Sequence, residues 1–217
     1  MHIFDDRLPV DVCNKMVEIS ELYYQKYVLD YKNNRDVKIL IKNRSEISIN
    51  ANEEWVNFYE KDNREIRIQN VWPIKTFREV EIDILNTKNS ISLGPLYVHY
   101  EIDEISNLIS IDFLRRFNLD KDKTRIVLRK NFPKRIWAPH RDYFISTFSK
   151  PIKNMVRLWV SLTEPKFGHV LVVENKVLYW VEQGTVVTWD PKELHTGANL
   201  GIENRYFLTI VGESIQK

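Results

Sequence analysis

Residues 135–144 read RIWAPHRDYF, and in this strand-like text His140 and Asp142 stand two apart. Side chains two apart on a strand project from one face, so an imidazole and a carboxylate share a surface. A third donor, His195, follows 55 residues later, just after the turn text WDPKEL. Two imidazoles and one carboxylate can hold Fe(II) on one side and leave three positions open for a chelating cosubstrate and O2. The same three donors also suit Zn(II) in a hydrolase, and an H-x-D pair by itself is compatible with a purely structural role.

Arg205 lies ten residues after His195, at the start of the apolar text NRYFLTIVG. A guanidinium at that place can reach back into a barrel and offer its planar fork to a carboxylate, or it can stay at the surface paired with Glu203. Asn199, four after His195, can tie down a turn or bond a ligand. Arg157 in VRLWVSL alternates with Trp159 and Ser161. If that face lines a cavity, Arg157 binds a carboxylate; if it faces outward, it is an edge-strand charge.

The elements that position these residues follow from periodicity. After Lys123 come seven short strand-like runs: TRIVLRKN, RIWAPHRD, MVRLWVSL, HVLVVEN, KVLYWV, GTVVTWD and NRYFLTIVG. Their breaks include Pro133, Pro151, Pro165 and Asp190-Pro191, and Gly184 serves the turn into Thr185–Trp189. Short strands at this spacing predict an antiparallel sandwich or barrel. Earlier, residues 9–30 place Val12, Met16, Ile19 and Tyr23 at helical spacing behind a first-turn proline. The runs DVKILIKN, SEISIN and REIRIQN between Val37 and Ile68 alternate like strands, and Asp103 to Phe117 predicts one amphipathic helix carrying Ile105, Leu108, Ile109, Phe113 and Leu114. The fold class expected is mainly β with supporting α-helices, in a single domain over 1–217. Residues 1–120 would shape a pocket and 121–217 would form the core.

Composition bounds the function classes. The chain has 217 residues, 43% of them hydrophobic and 29% charged, and no apolar run approaches the roughly 20 residues of a membrane span. The opening MHIFDDRLP lacks a basic region before an apolar stretch, so no secretory signal is read there. Cys13 is the only cysteine, which excludes an intrachain disulfide and makes a cytoplasmic protein the expectation. Residues 1–120 carry 16 basic and 21 acidic groups, and residues 121–217 carry 16 and 9, so an anionic ligand belongs to the second part. The basic run from Lys121 to Arg135 has no nucleic-acid module beside it; neither nucleic acid nor membrane is the expected partner.

RIWAPHRDYF, VRLWVSLTEP, VEQGTVVTWDPKELHTGANLG and NRYFLTIVG together resemble the 2-oxoglutarate/Fe(II)-dependent oxygenases, most closely the proline cis-hydroxylase and aspartyl/asparaginyl β-hydroxylase-like branch. The resemblance covers about residues 125–212. It implies a double-stranded β-helix, a cupin-like jelly roll, with His140, Asp142 and His195 as iron ligands and Arg205 as anchor for the distal carboxylate of 2-oxoglutarate. It further implies O2 as oxidant, succinate and CO2 as co-products, and hydroxylation of a C–H bond in a free amino acid or small peptide-like molecule. A protein side chain or a nucleobase is the next substrate class, and a non-catalytic cupin-like metal-binding protein is the competing reading. Asp142 favours hydroxylation over halogenation, since related halogenases lack that carboxylate. Some members place a serine two residues after the anchoring arginine; Phe207 stands there in this chain, which leaves the second carboxylate contact unassigned. His169 and His99 are expected to be structural or surface residues, and Cys13, Trp137, Trp159, Trp180 and Trp189 core residues, with Trp137 or Tyr143 as candidates for a pocket wall.

Overall fold

The computed structural model describes residues 1–25, 38–44, 53–59, 65–71, 95–137, 139–141 and 154–215. Strand β1 (His2–Arg7) and helix α1 (Val10–Tyr23) open the chain, and β2 (Lys38–Arg44), β3 (Glu53–Tyr59), β4 (Glu65–Val71) and β5 (Pro95–Glu101) follow. Helices α2 (Asp103–Ser106) and α3 (Ile111–Arg116) precede β6 (Leu119–Asn131). The remaining strands are β7 (Arg135–Ile136), β8 (Met155–Ser161), β9 (His169–Val173), β10 (Lys176–Tyr179), β11 (Thr185–Thr188), β12 (His195–Asn199) and β13 (Arg205–Ser214).

From β6 onward the pairing is nested. The first strand pairs with the last (β6 with β13), the second with the seventh (β7 with β12), the third with the sixth (β8 with β11) and the fourth with the fifth (β9 with β10), all antiparallel. The strands fall into two sheets, β1-β11-β8-β13-β6-β5-β4-β3-β2 and β10-β9-β12-β7. A long hairpin wound in this way is a double-stranded β-helix, the jelly roll expected. Strands β5 to β2 extend the larger sheet beyond the barrel, and β1 closes its other edge.

Alternation gives the large sheet two different faces. Leu128, Leu158, Val160, Val186, Tyr206, Leu208 and Ile210 point away from the barrel and pack with Cys13 and Met16 of α1 and with Ile105, Phe113 and Leu114. Trp159, Val187, Trp189 and Phe207 point inward and meet Leu171 and Val173 of the small sheet. Central strand β13 is buried on both faces from Arg205 to Gly212, and so reads as a continuous apolar run. No helix among the described residues is long and apolar enough to cross a membrane.

Several elements differ from expectation. The helix expected over Asp103–Phe117 is two, because Ser110 takes an extended backbone and its hydroxyl accepts from the Phe113 N–H, capping a new helix start. Its apolar residues still face the core. The first helix ends earlier than residue 30 as an α-helix, at Tyr23; residues 26–30 lie outside the described residues, as do SEISIN (45–50), Tyr143 and Pro151. Strands β1, β3 and β12 were not expected from periodicity. Trp180 is 62% exposed in a left-handed backbone conformation rather than core, while Trp159 and Trp189 are buried. The basic run is no single patch: Lys130 is buried against Glu21 at 2.7 Å on the outer face, Arg129 alternates inward, and Lys121 and Lys123 are exposed.

Candidate functional site

His140 lies just past β7 and bridges to His195 at the start of β12. Each backbone N–H donates to the other's carbonyl at 2.9 Å, so the two residues are directly opposite and their side chains leave the sheet on one side. Their ring centroids are 4.3 Å apart. His140 is exposed and His195 is buried, which puts the pair at a mouth of the barrel. Asp142, the third expected donor, lies outside the described residues, and no three metal-ligating side chains cluster among the described ones.

The His195 ring is oriented from behind. Its Nδ1 lies 3.0 Å from the Glu193 carbonyl, an acceptor only, so Nδ1 carries the proton and Nε2 presents a lone pair inward. Arg157 Nη1 stands 3.1 Å from that Nε2. The Arg157 face is therefore inward, the first of the two options its sequence allowed. Trp189 braces both groups, with its ring 5.1 Å from His195 and 4.8 Å from the Arg157 guanidinium carbon. Burial, then Arg157, lower the His195 pKa to about 3, so the ring is neutral at ordinary pH. Burial, then Arg129, lower that of Arg157 to about 9.

Arg205 enters the barrel deeper. Its Nη1 donates to the carbonyls of Val170 at 2.7 Å and Ala198 at 3.1 Å, and its plane lies near Trp159 and Phe207. Nε and Nη2 have no partner among the described residues, and Glu203, the surface partner the sequence allowed, pairs with Lys166 instead. Burial alone lowers the guanidinium pKa to about 10, which leaves it charged. Gly197, two residues from His195 and facing the same way, makes room for this arrangement: a Cβ there would lie 2.6 Å from the Trp137 ring and 3.8 Å from Arg205 Nη1. The guanidinium thus sits one inward position, about 7 Å of strand, below the His195 imidazole.

Asn199 is engaged in the turn. Its amide donates to the Asn131 and Glu203 carbonyls and its oxygen accepts from Gly201 N–H. Phe207 packs edge-on to Trp137 and offers no polar contact. The interior also holds polar atoms that the sequence reading either took as structural, at His169 and Trp189, or did not single out, at Thr209 and Asn131. Trp189 Nε1, Thr209 Oγ1, Asn131 Oδ1 and His169 Nε2 are buried without a hydrogen-bond partner among the described residues. Buried polar groups are nearly always partnered, so this set on one lumen marks it as a place for a polar ligand. Strand alternation could have found them: His169 shares a face with Leu171 and Val173, and Thr209 with Phe207 and Arg205. Cys13, by contrast, is fully buried outside the barrel with its thiol pushed up to about 12, as a core residue.

No family model matches this chain, and no curated protein does. Among solved structures it is similar to a predicted oxalate decarboxylase from Thermotoga maritima, at 16% identity and a TM-score of 0.35 over 55% of this chain and 82% of that one. It is also similar to a sugar phosphate isomerase from a cupin superfamily of Silicibacter pomeroyi (12%, 0.36, 55% and 60%) and a cupin-2 domain from Rhodospirillum rubrum (14%, 0.35, 56% and 63%). The chain spans about six tenths of the length of these last two. The fold assignment stands on this chain's own nested strand pairing: a cupin-like double-stranded β-helix.

Proposed function

We propose that this barrel is a non-haem Fe(II)/2-oxoglutarate-dependent oxygenase that hydroxylates a C–H bond of a free amino acid or small peptide-like substrate. The observation that carries the reading is Arg205, a charged guanidinium buried inside the barrel with two nitrogens unused and no salt bridge to a carboxylate among the described residues. A buried cation of this kind is costly unless an anion joins it. A short dicarboxylate seated on Arg205 has its far end at the level of His195.

The two described donors, His140 and His195, suit a metal. The Glu193 carbonyl fixes the His195 tautomer, as a second sphere does for a ligating imidazole, and His140 is held beside it by reciprocal backbone bonds. His140, His195 and Asp142 would hold Fe(II), which supplies the oxidative decarboxylation of 2-oxoglutarate with O2 to succinate and CO2, one oxygen atom going to the substrate. The chain's own residues bind and orient. Arg205 fixes the distal carboxylate, Arg157 offers donors to a carboxylate beside His195, and Trp159, Phe207 and Trp137 exclude water along the cosubstrate. Residues 1–120 shape the substrate side.

A second reading has its own observation. Arg157 Nη1 occupies the inward lone pair of His195, and a barrel that retained that contact would bind anions without metal. Equilibrium dialysis of Fe(II) under anaerobic conditions separates the two: the oxygenase reading expects one Fe(II) per chain, lost in Asp142→Ala, and a metal-free binder takes up none.

A further inference from the structure

Four buried side chains share one level of the barrel at the end away from His140. Asn131 of β6 is in register with Arg205 of β13, and His169 of β9 is in register with Asn199 of β12. Asn199 Nδ2 donates to the Asn131 carbonyl at 3.2 Å and joins the two sheets there. The loops beyond lock this end, since a Cβ on Gly168 would stand 2.2 Å from the Gly201 nitrogen and one on Gly201 would stand 2.1 Å from the Phe167 carbonyl oxygen. All four residues are buried, with His169 at 8% exposure. Three of them leave polar atoms unused: Nε2 of His169, Oδ1 of Asn131, and Nε and Nη2 of Arg205.

A neutral His169 has a single N–H to share between its two ring nitrogens. The Glu203 backbone carbonyl acts on the ring as a hydrogen-bond acceptor, and a proton kept on Nδ1 for it leaves the unpartnered Nε2 an acceptor. Burial, then the nearby Arg205 guanidinium, hold its pKa down to about 4, and Lys166 acts in the same direction; the Glu203 carbonyl and carboxylate act against them. Strands β6 and β12 present the neutral Asn131 and Asn199 at this level, and β7 adds the half-buried guanidinium of Arg135, in register with Asn199. An anion on Arg205 removes the largest electrostatic obstacle to a second proton on His169 and supplies the acceptor for it.

We propose that His169 is the second contact to the carboxylate seated on Arg205, and that it takes up a proton as that carboxylate binds. This rests on the reading of Arg205 as an anion anchor and fills the contact that Phe207 cannot make. One proton is taken from solvent per carboxylate bound, no covalent bond changes, and by linkage affinity falls as pH rises above the free imidazole's range.

The test is calorimetric titration of glutarate, a dicarboxylate that does not chelate, into the metal-free full chain between about pH 6 and pH 8 in two buffers of different ionisation enthalpy. Wild type should lose affinity with rising pH, by up to about tenfold per unit, with close to one proton taken up. His169→Gln, whose amide donates without a proton, should bind with no pH slope and no uptake, and His169→Asn, too short to reach, should bind weakly at every pH. Wild-type binding that is lost in Arg205→Gln but is flat with pH and takes up no proton overturns the His169 role and leaves the anchor standing. No glutarate binding by wild type at any pH overturns both.

Discussion

Arg205 sets stability and binding against each other. Replacing an uncompensated buried charge by an apolar side chain of similar volume is often neutral or stabilising, whereas a charge-assisted bond to a bound carboxylate is worth about 2–3 kcal/mol. Arg205→Met should therefore unfold at the same temperature as wild type or higher, while its affinity for 2-oxoglutarate falls about 30- to 150-fold. Thermal unfolding and equilibrium binding check the two halves, and a variant that unfolds early with affinity intact contradicts the assignment. His169 makes a pH prediction of the same kind. Its folded pKa, about 4, lies below the ordinary histidine value of 6.5, so between those values the unfolded chain takes the proton and the folded one does not. The ligand-free protein should keep the full contribution above about pH 6.5 and lose roughly 3 kcal/mol as pH falls to 4. Denaturant titrations of wild type and His169→Gln at several pH values should converge in slope only above that window. At this scale residue type and spacing acted together for His140, His195 and Arg205, which the structure brings into one barrel, while Asp142 lies outside the described residues. His169 was read as structural because a lone histidine in apolar text has no partner in sequence; its neighbours Arg205 and Asn199 arrive only through the fold.

Periodicity gave seven of the barrel's strands and failed where a single residue changes the element. Ser110 is such a residue, ending one helical stretch and capping the next. Ser110→Ala should cost about 1 kcal/mol of stability, read from denaturant unfolding, and no change would mean the break is held by packing alone. Gly184 does the same for β11. With φ +80 and the Leu8 carbonyl oxygen 2.2 Å from where a Cβ would stand, and with Leu8 N–H donating to its carbonyl at 2.9 Å, it lets the segment after β1 lie against the barrel. Gly184→Ala should cost more than about 2 kcal/mol. Strand β12 escaped the sequence reading because HTGAN carries no branched apolar residues. Its place is set by the pairs His195–Val173 through Asn199–His169, and its small Gly197 is there to admit Trp137 and Arg205.

The whole molecule divides its labour between the faces of one sheet. Helices α1, α2 and α3 cover the outer face of the large sheet with apolar side chains, which leaves its inner face to carry Arg129, Arg157 and Arg205 opposite His169 and His195 of the small sheet in an otherwise apolar lumen. The excess of basic groups after residue 120 is thus partly an interior feature, and composition could show its sign but not its side. Outer-face variants such as Leu208→Ala should lower stability by about 2–5 kcal/mol with ligand affinity unchanged, because β13 keeps its inner row. The most direct measurement is succinate formation by anaerobically purified chain given Fe(II), 2-oxoglutarate and O2, across free amino acids and short peptides, with Asp142→Ala and Arg205→Gln beside it. The oxygenase reading predicts succinate that rises with a member of the panel and disappears in both variants. No succinate from a chain that also fails to bind Fe(II) and 2-oxoglutarate would contradict it.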